Sequence, residues 1–302
     1  MSTLRRPAIT VGAAVIGLAA ATAAIAPASA DSVQCGDQIS VDTVLTADLT
    51  CGPGDGLVIV ANGVTLDLGG HTITGPGAYG QGAGAGVRAA QRTGVTVMHG
   101  TITGYQTAVV LDESRDGHVT RLTVHHNDQG IILSGGGDHL VDKNVAADNG
   151  RDAIKVGLSE DNRVTQNTVT GNVYGIAVAS GSTDNTVDRN VASGNQYFGI
   201  AAFAGGSGHK FEKNQVTGSV HHGIQVNSDI TGITLLQNYV SGNGDDGIHV
   251  ETTSATLTKN TAVYNVDLGI SAPSGVTDGG GNKASGNGNV LQCTGVVCNP
   301  AF

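Results

Sequence analysis

A repeat of 22 to 24 residues constrains the fold of this chain more than any other feature of its sequence. A small residue followed by an apolar one returns at this interval from Gly86-Val87 onward. The later copies are Ala108-Val109, Gly130-Ile131, Ala153-Ile154, Gly175-Ile176, Gly199-Ile200, Gly223-Ile224, Gly247-Ile248 and Gly269-Ile270. A fixed period of this length is typical of solenoids, in which each repeat forms one structural unit and stacks on the next.

A column of asparagines runs in step with the first column at the same interval. It consists of Asn144, Asn167, Asn190, Asn214, Asn238, Asn260 and Asn282. Short stretches with β propensity flank these residues, such as Arg163-Val164-Thr165 and Thr168-Val169-Thr170. Asparagine suits a tight turn, and its amide can satisfy backbone groups and stack on copies of itself. The column therefore predicts a turn between two short strands in every repeat.

The two columns together predict an all-β solenoid of about ten coils. Each coil would hold about three short strands, because no stretch of the mature chain keeps the 3.6-residue apolar period of a helix. Stacking the coils pairs each strand with its copy in parallel register at about 4.8 Å. Ile176, Ile200 and Ile224 should then lie directly over one another inside the solenoid.

The opening of the repeat resembles a known superfamily. Residues 63–73 (GVTLDLGGHTI) resemble the first coil common among parallel β-helix repeat proteins, which include pectate lyases, polygalacturonases and NosD-like periplasmic proteins. The resemblance covers roughly residues 38–290. It implies a right-handed, single-stranded parallel β-helix with a substrate groove along the outward face of the first strand of each coil.

The N-terminus has the pattern of a secretory signal peptide. Arg5 and Arg6 precede an apolar run over residues 8–26, and Ala28-Ser29-Ala30 forms a small-residue cleavage site. We therefore expect residues 1–30 to be removed and the protein to be secreted and extracellular. The remainder, residues 31–302, is predicted to be one domain with an N-terminal cap (31–56), coils (57–290) and a C-terminal cap (291–302).

The charge balance limits the partners of the mature chain. The sequence has 25 acidic and 15 basic residues, and removing Arg5 and Arg6 takes the net charge from −10 to −12. A nucleic-acid partner is not expected, since it needs a basic face. No later segment is apolar enough for membrane insertion. We expect a monomer whose partner is a polysaccharide, and a strongly anionic polymer would require locally clustered bases or a bridging cation.

The four cysteines occur only near the two ends of the mature chain. Nine rises of about 4.8 Å separate those ends by roughly 40 Å, far beyond the reach of a disulfide. The sequence therefore predicts Cys35–Cys51 and Cys293–Cys298, each closing one end of the solenoid. Intermolecular bridges or free thiols are the alternative.

Three aromatic residues are predicted to lie on the outward surface of adjacent coils. Tyr174, Tyr197 and Phe198 precede strands whose outward positions are the small residues Ala177 and Ala201. Aromatic rings offer flat apolar area, so these rings are candidates for substrate binding to a sugar. Packing of a loop edge is the alternative.

The densest polar patch follows the aromatic residues along the chain. We single out His222, Asp245, Asp246 and His249 as candidate catalytic residues and Gln225 as a candidate substrate-binding residue. His222 and Asp246 should lie close enough to hydrogen-bond, and a carboxylate beside histidine suits proton transfer. A solvated polar surface and a cation site are the alternatives. No cofactor is expected, although calcium is compatible with these ligands.

Basic residues on an earlier coil form a second candidate substrate-binding group. Arg151 and Lys155, beside Asp152, could neutralise the carboxylate of a uronic sugar, which a lyase needs before a base removes the neighbouring proton. Ordinary exposed ion pairs are the alternative.

Only one of the polygalacturonase signatures has a counterpart in this chain. Asp245-Asp246-Gly247-Ile248 resembles the paired-aspartate step of that family. The preceding coil has Val220-His221-His222 where the family carries Asn-Thr-Asp, and the next has Asp267-Leu268-Gly269 in place of Gly-His-Gly. The sequence thus favours a secreted carbohydrate-active protein, either a polysaccharide lyase or a glycosidase. A noncatalytic β-helix that binds glycans or belongs to the cell envelope is the alternative.

Overall fold

The computed structural model describes residues 32–77 and 84–301, and every regular element among these residues is a β-strand. The strands wind into one parallel β-solenoid, so the predicted all-β fold is confirmed. The segment expected as a signal peptide, residues 1–30, lies outside the described residues. Within the described ranges there is no helix of the length and hydropathy needed to span a bilayer.

The first sheet has eleven parallel strands in the described part of the chain, one from each coil. They are Gln38–Ile39, Leu57–Ile59, Ala85–Ala90, Thr107–Asp112, Gln129–Ser134, Asp152–Gly157, Tyr174–Ala179, Ile200–Phe203, Ile224–Val226, Ile248–Val250 and Ile270–Ser271. Ile176, Ile200 and Ile224 are direct register partners, as predicted.

Two further columns of strands complete each coil. The second column contains Thr43–Val44, Thr65–Asp67, Leu140–Asp142, Arg163–Thr165, Thr186–Asp188, Lys210–Glu212, Thr234–Leu236, Thr256–Thr258 and Thr277–Gly280. The third contains Leu49–Thr50, Thr72–Thr74, Val145–Ala147, Thr168–Thr170, Val191–Ser193, Gln215–Thr217, Tyr239–Ser241, Thr261–Val263, Asn282–Ser285 and Cys298–Asn299. Two long strands, Thr96–Thr103 and His118–His125, run through both columns. A short additional sheet joins Ser182–Thr183, Gly206–Ser207 and Ile230–Thr231.

Alternating side chains of the three columns fill the interior. Ile224, Val226 and Val240 are fully buried, and their copies above and below are buried as well. The small residue before each anchor has a steric cause. A Cβ added at Gly223 would lie 2.3 Å from Cγ1 of Val240, so the chain passes too close to its own coil for a larger residue. The repeated small and apolar residues of the sequence are therefore those that pack inside the solenoid.

The predicted asparagine column forms a continuous buried ladder between the second and third columns. The backbone N–H of Asn190 donates to Oδ1 of Asn214 at 2.9 Å, and Nδ2 of Asn214 donates to the carbonyl of Val187 at 2.8 Å. A second buried ladder, which we did not anticipate, lies between the third column and the first sheet. It consists of Asn127, Asn149, Asn172, Asn195, Asn243, Asn265 and Asn287, and is interrupted by Ser219 in the coil between Asn195 and Asn243.

Both predicted disulfides are formed, with Cα atoms 5.5 Å apart in Cys35–Cys51 and 6.1 Å apart in Cys293–Cys298. Residues of both predicted cap segments take part in the stacking. Residues 31–56 already contain a full coil, since Gln38–Ile39 pairs with the next strand of the first sheet. At the other end, Cys298–Asn299 pairs in parallel with the preceding third-column strand. Stacking thus extends into both segments that were expected to be caps.

Candidate functional site

The outward surface of the first sheet differs in chemistry from coil to coil. Its central position is occupied in successive coils by Lys155, Ala177, Ala201, Gln225 and His249, which are register partners. We call the surface around these residues the first-sheet surface. Its C-terminal half carries the candidate catalytic residues, and the middle carries the aromatic residues.

Asp246 and His249 form the shortest polar contact of the patch. Nδ1 of His249 lies 2.7 Å from Oδ2 of Asp246, and the backbone N–H of Leu268 donates to Oδ1 at 2.9 Å. Asp246 is only 4% exposed. Because the carboxylate accepts a hydrogen bond from Nδ1–H, the Nε2 atom of neutral His249 is unprotonated. That nitrogen lies 3.8 Å from Oε1 of Glu251.

The expected hydrogen bond between His222 and Asp246 side chains is wrong. Nδ1 of His222 lies 4.0 Å from Oδ2 of Asp246, which is too far for a hydrogen bond. Instead this nitrogen accepts the backbone N–H of Asp246 at 3.2 Å. The carboxylate turns to His249 on its own coil. Neutral His222 must therefore carry its proton on Nε2, which lies 3.8 Å from Oδ2 of Asp245.

The two imidazoles have pKa values shifted in opposite directions. The hydrogen bond to Asp246 raises the pKa of His249 and outweighs the effect of burial. Burial lowers the pKa of His222, and the neighbouring His249 lowers it further. Burial opposes ionisation of Asp246, but the hydrogen bonds from His249 and Leu268 bring its pKa below the usual value. Groups whose pKa values are driven apart are candidates for distinct acid–base roles.

The aromatic residues continue directly from the two histidines. The rings of His222 and His249 are stacked at 4.4 Å, and the ring of Phe198 is nearly parallel to that of His222 at 5.8 Å. Tyr197 contacts Phe198 edge-on at 4.6 Å, and Tyr174 lies 5.5 Å from Tyr197. The predicted aromatic residues therefore come together and abut the polar patch.

Gln225 joins the patch through contacts with Glu251 and Asn227. Its amide nitrogen, Nε2, donates to Oε1 of Glu251 at 3.1 Å and to Oδ1 of Asn227 at 3.0 Å. Beside it is a cleft of about 380 Å³ lined by Tyr174, Phe198, Phe203, Ala204, Asn227 and Asp229. Phe203 is the last residue of its strand and Asp229 lies beyond the next one. Both were missed because we considered only positions up to the residue after each apolar anchor.

Arg151 and Lys155 are not brought to the histidines. Lys155 is separated from His249 by four steps of the register, roughly 19 Å at about 4.8 Å per step. Arg151 forms a salt bridge with Asp128 at 3.0 Å, as in the ion-pair alternative. Lys155 lines a separate cavity of about 250 Å³ with Gln129, Ile132, Leu133, Ser134, Gly157, Leu158 and Ser180.

Two sets of side chains have donor atoms within 4.8 Å of one another. They are His222 with Asp246 and His249, and Asp245 with Asp246 and Asp267. In the first set, both oxygens of Asp246 and Nδ1 of each histidine already have hydrogen-bond partners. This set is therefore better arranged for proton transfer than for holding a metal ion. The second set offers oxygen ligands of the kind that calcium prefers.

Comparison with known proteins agrees with this architecture. The family model described as "Right handed beta helix region" matches residues 54–192 and 181–289. No curated protein sequence matches the chain significantly. The A-module of the mannuronan C-5 epimerase AlgE4 of Azotobacter vinelandii is similar in structure, with a TM-score of 0.70 and 18% identity. The similarity covers 85% of this chain and 82% of that one.

Two other solved structures are similar over much of the chain. The DFA-IIIase of Arthrobacter chlorophenolicus A6 without its lid has a TM-score of 0.56 and 13% identity, covering 83% of this chain and 67% of that one. The periplasmic alginate epimerase AlgG has a TM-score of 0.55 and 14% identity, covering 78% and 65%. At such identities the likeness concerns the fold. The chain belongs to the right-handed β-helix family.

Proposed function

We propose that this protein is a secreted, extracellular carbohydrate-active enzyme that cuts a polysaccharide by β-elimination on the first-sheet surface. The observation that carries the proposal is the contact between Asp246 and His249, which leaves Nε2 of His249 free as a base beside an Nε2–H donor on His222. The proposed reaction needs side chains of one chain only, so we expect the enzyme to act as a monomer.

The reaction needs a base at the carbon next to a uronic carboxyl group. Nε2 of neutral His249 removes that proton, a C=C bond forms, and the C–O bond to the leaving sugar breaks. The same nitrogen then gives its proton to the leaving oxygen, so the proton balance closes. The Nε2–H group of His222 donates a hydrogen bond to the charge that develops, as a preorganised neutral donor. Asp246 holds the ring of His249 and stabilises its protonated form.

The aromatic residues and the cleft beside them provide the binding surface. A sugar ring can stack on Phe198 or Tyr197 while the scissile bond lies over His222 and His249. Two of the structurally similar proteins are named as epimerases of alginate or mannuronan. Proton removal at a sugar carbon is common to C-5 epimerisation and elimination, which supports a uronate polymer as the substrate class.

The acidic residues near the histidines bear on both the substrate and an alternative reaction. Asp245 and Asp267 would repel a uronate unless a cation lay between them, and calcium is the ion that their oxygens suit. The same pair favours hydrolysis as a second candidate, because carboxyl oxygens within 4.8 Å of one another can divide the roles of acid and nucleophile.

An assay of polymer cleavage tests the proposal. The mature protein is incubated with polygalacturonate, alginate and neutral glycans, with calcium or with a chelator, and absorbance from unsaturated uronate is followed together with new reducing ends. We expect both signals on a uronate polymer. His249→Ala should lower the rate by about 10³-fold, in the range for loss of a general base.

His126→Ala is the matched control, since His126 is exposed at another corner of the solenoid. Reducing ends without absorbance would identify the hydrolytic alternative. Polymer binding without either product, unaffected by His249→Ala, would favour the noncatalytic glycan-binding or envelope role and overturn the proposal.

A further inference from the structure

A row of exposed residues follows the corner between the second and third strand columns, across the solenoid from the first-sheet surface. One residue of each successive coil belongs to it, immediately before the asparagine ladder in most coils. We call this row the basic ridge. Its members are His99, Arg121, Lys143, Gln166, Arg189, Lys213, Gln237 and Lys259.

The backbone conformation of the basic ridge does not favour the residues found there. Every member has a φ between 52° and 57°, in the left-handed region that costs least for glycine, asparagine or aspartate. The next coil has Gly281 at this position, with φ 73°, so the turn accepts glycine. Eight successive coils nevertheless carry long or bulky polar side chains.

The other two corners each have one left-handed position that follows the backbone preference, although a second row directly after the first sheet does not: Gln91, Glu113, Leu158, Ser180 and Ala204. Between the third column and the first sheet, the left-handed position is glycine in most coils, namely Gly104, Gly171, Gly194, Gly218, Gly242 and Gly286. Between the first sheet and the second column it is aspartate or glycine, as in Asp116, Asp138, Asp161, Asp184, Gly208 and Gly232. The basic ridge differs from all of these rows in that five of its eight members are lysine or arginine.

The shared property of the basic ridge is its positive charge. All of its fully charged members are basic, in a chain with 25 acidic and 15 basic residues. Lys143 pairs with Asp142 and Arg189 with Asp188, each at 2.7 Å. Asp142 also contacts His118, and Asp188 also binds Arg163. The carboxylates beneath the ridge are thus shared among several cations and do not neutralise it.

The remaining cations of the ridge have no internal partner. Among the described residues, Arg121, Lys213 and Lys259 form no salt bridge with a carboxylate. All three side chains are exposed. Lys210 and Lys283, also exposed, add positive charge on the flanking strands. The corner is therefore a line of available positive charge on an acidic molecule.

We propose that the basic ridge is a noncatalytic binding site for a linear polysaccharide that bears carboxylates, held parallel to the solenoid axis. The cations from Arg121 to Lys259 span six steps of the register, about 29 Å at about 4.8 Å per step. This gives one positive charge per roughly 6 Å, which suits an extended polymer with about one charge per sugar.

The geometry favours such a polymer over other polyanions. Duplex DNA carries one charge per about 1.7 Å of its axis, several times denser than the ridge. The ridge also lacks Phe, Tyr and Trp, on which the bases of a single strand could stack. A single row of cations on a convex corner matches an extended chain more closely than the plane of a membrane.

Because the ridge and the first-sheet surface lie on different sides of the coil, a polymer on the ridge would tether the protein and leave the groove open. The inference does not depend on the proposed elimination, since binding can be measured without turnover. The test therefore uses His249→Ala as the background, so that no polymer is cut during the measurement.

The experiment compares two triple variants of equal net charge for binding to polygalacturonate at low salt. The ridge variant carries Arg121→Gln, Lys213→Gln and Lys259→Gln, and glutamine is chosen because Gln166 and Gln237 already hold this backbone conformation. The control variant carries Arg88→Gln, Arg92→Gln and Arg115→Gln, which removes three positive charges outside both the ridge and the candidate site. We expect the ridge variant to bind at least about tenfold more weakly and to show a shallower salt dependence. The control should bind like the background protein.

Thermal unfolding of both variants shows whether folding is affected, and little change is expected for the ridge variant. Loss of binding only in the control variant would place the polymer away from the ridge and overturn the proposal. Equal binding by the background protein and both triple variants would also overturn the proposal. Stronger binding to DNA or to vesicles of anionic lipid than to polygalacturonate would reject the assignment of ligand class.

Discussion

The buried asparagine ladder and the first-sheet surface contain polar residues arranged by the same coil repeat, but they differ in what varies. The ladder has the same residue in seven coils, from Asn144 to Asn282, and each amide bonds to the next. The first-sheet surface changes from Lys155 through Ala177 and Ala201 to Gln225 and His249.

The difference separates residues required by the fold from residues available to function. A ladder amide must satisfy backbone groups of two coils away from water, so any other residue there leaves polar groups without partners. An outward side chain of the first sheet has no such obligation. Outward positions at which the residue type changes from coil to coil, such as those of His222 and His249, are therefore candidates for a functional role.

Changing the carboxylate behind His249 should give the largest effect and leave the fold intact. In Asp246→Asn, the amide can still accept the N–H of Leu268 through Oδ1, but its NH₂ group would donate to Nδ1 of His249. The proton of His249 then moves to Nε2, where the base is needed. We expect kcat/KM on the uronate polymer to fall by about 10³-fold, with little change in thermal unfolding.

The same variant makes a distinct prediction for pH dependence. In the native protein the raised pKa of His249 means that the neutral base accumulates only as pH rises above 6.5, so kcat/KM should increase through that range. Asp246→Asn should move this rising limb to lower pH, because the carboxylate that raises the pKa is gone. An unshifted limb would show that His249 is not the group whose ionisation limits the rate.

A substitution in the ladder should have the converse result, with a large effect on stability and none on chemistry. Asn214→Ala removes the acceptor of the Asn190 N–H and the donor to the Val187 carbonyl, both buried. Each stranded group costs about 1–3 kcal/mol, so we expect the free energy of unfolding in urea to fall by about 3 kcal/mol. Gln215→Ala, on the next and exposed residue, should change it by less than about 0.5 kcal/mol.

Sequence predicted the ladder and the disulfides because both depend on where residues recur along the chain. The second ladder was equally visible, since Asn149, Asn172 and Asn195 each follow a first-ladder residue by five positions. The partner of Asp246 was not predictable in this way. Whether Asp246 bonds to His222 or to His249 depends on side-chain rotation over a few ångströms. A periodic sequence pattern contains no information on that rotation. The basic ridge could not be recognised from the sequence for a related reason, because the positive φ shared by its residues is seen only in the structure.

A buried histidine should also respond to acid differently from the outward histidines of the first-sheet surface. The expected effect on stability is smaller than that of Asn214→Ala. His209 is fully buried at the end of a short row of stacked buried residues, His139, Asn162, Asn185 and His209. Its Nδ1 accepts the N–H of Asn185 at 3.3 Å. Burial lowers its pKa from 6.5 to about 4, so the folded state holds it neutral while the unfolded state is protonated below 6.5. Its contribution to stability is therefore constant above pH 6.5 and is lost as pH falls toward 4, about 2 kcal/mol at pH 5.

His209→Asn provides the measurement, since Asn162 and Asn185 already occupy this row in the preceding coils. Unfolding in urea at pH 7 and pH 5 should show a loss between the two pH values that is about 2 kcal/mol smaller in the variant than in the native protein. His139, whose pKa burial also lowers, remains as a smaller source of acid sensitivity. If both proteins lost the same stability, His209 would not be held neutral by the interior, and the contrast between buried and outward histidines would fail at this position.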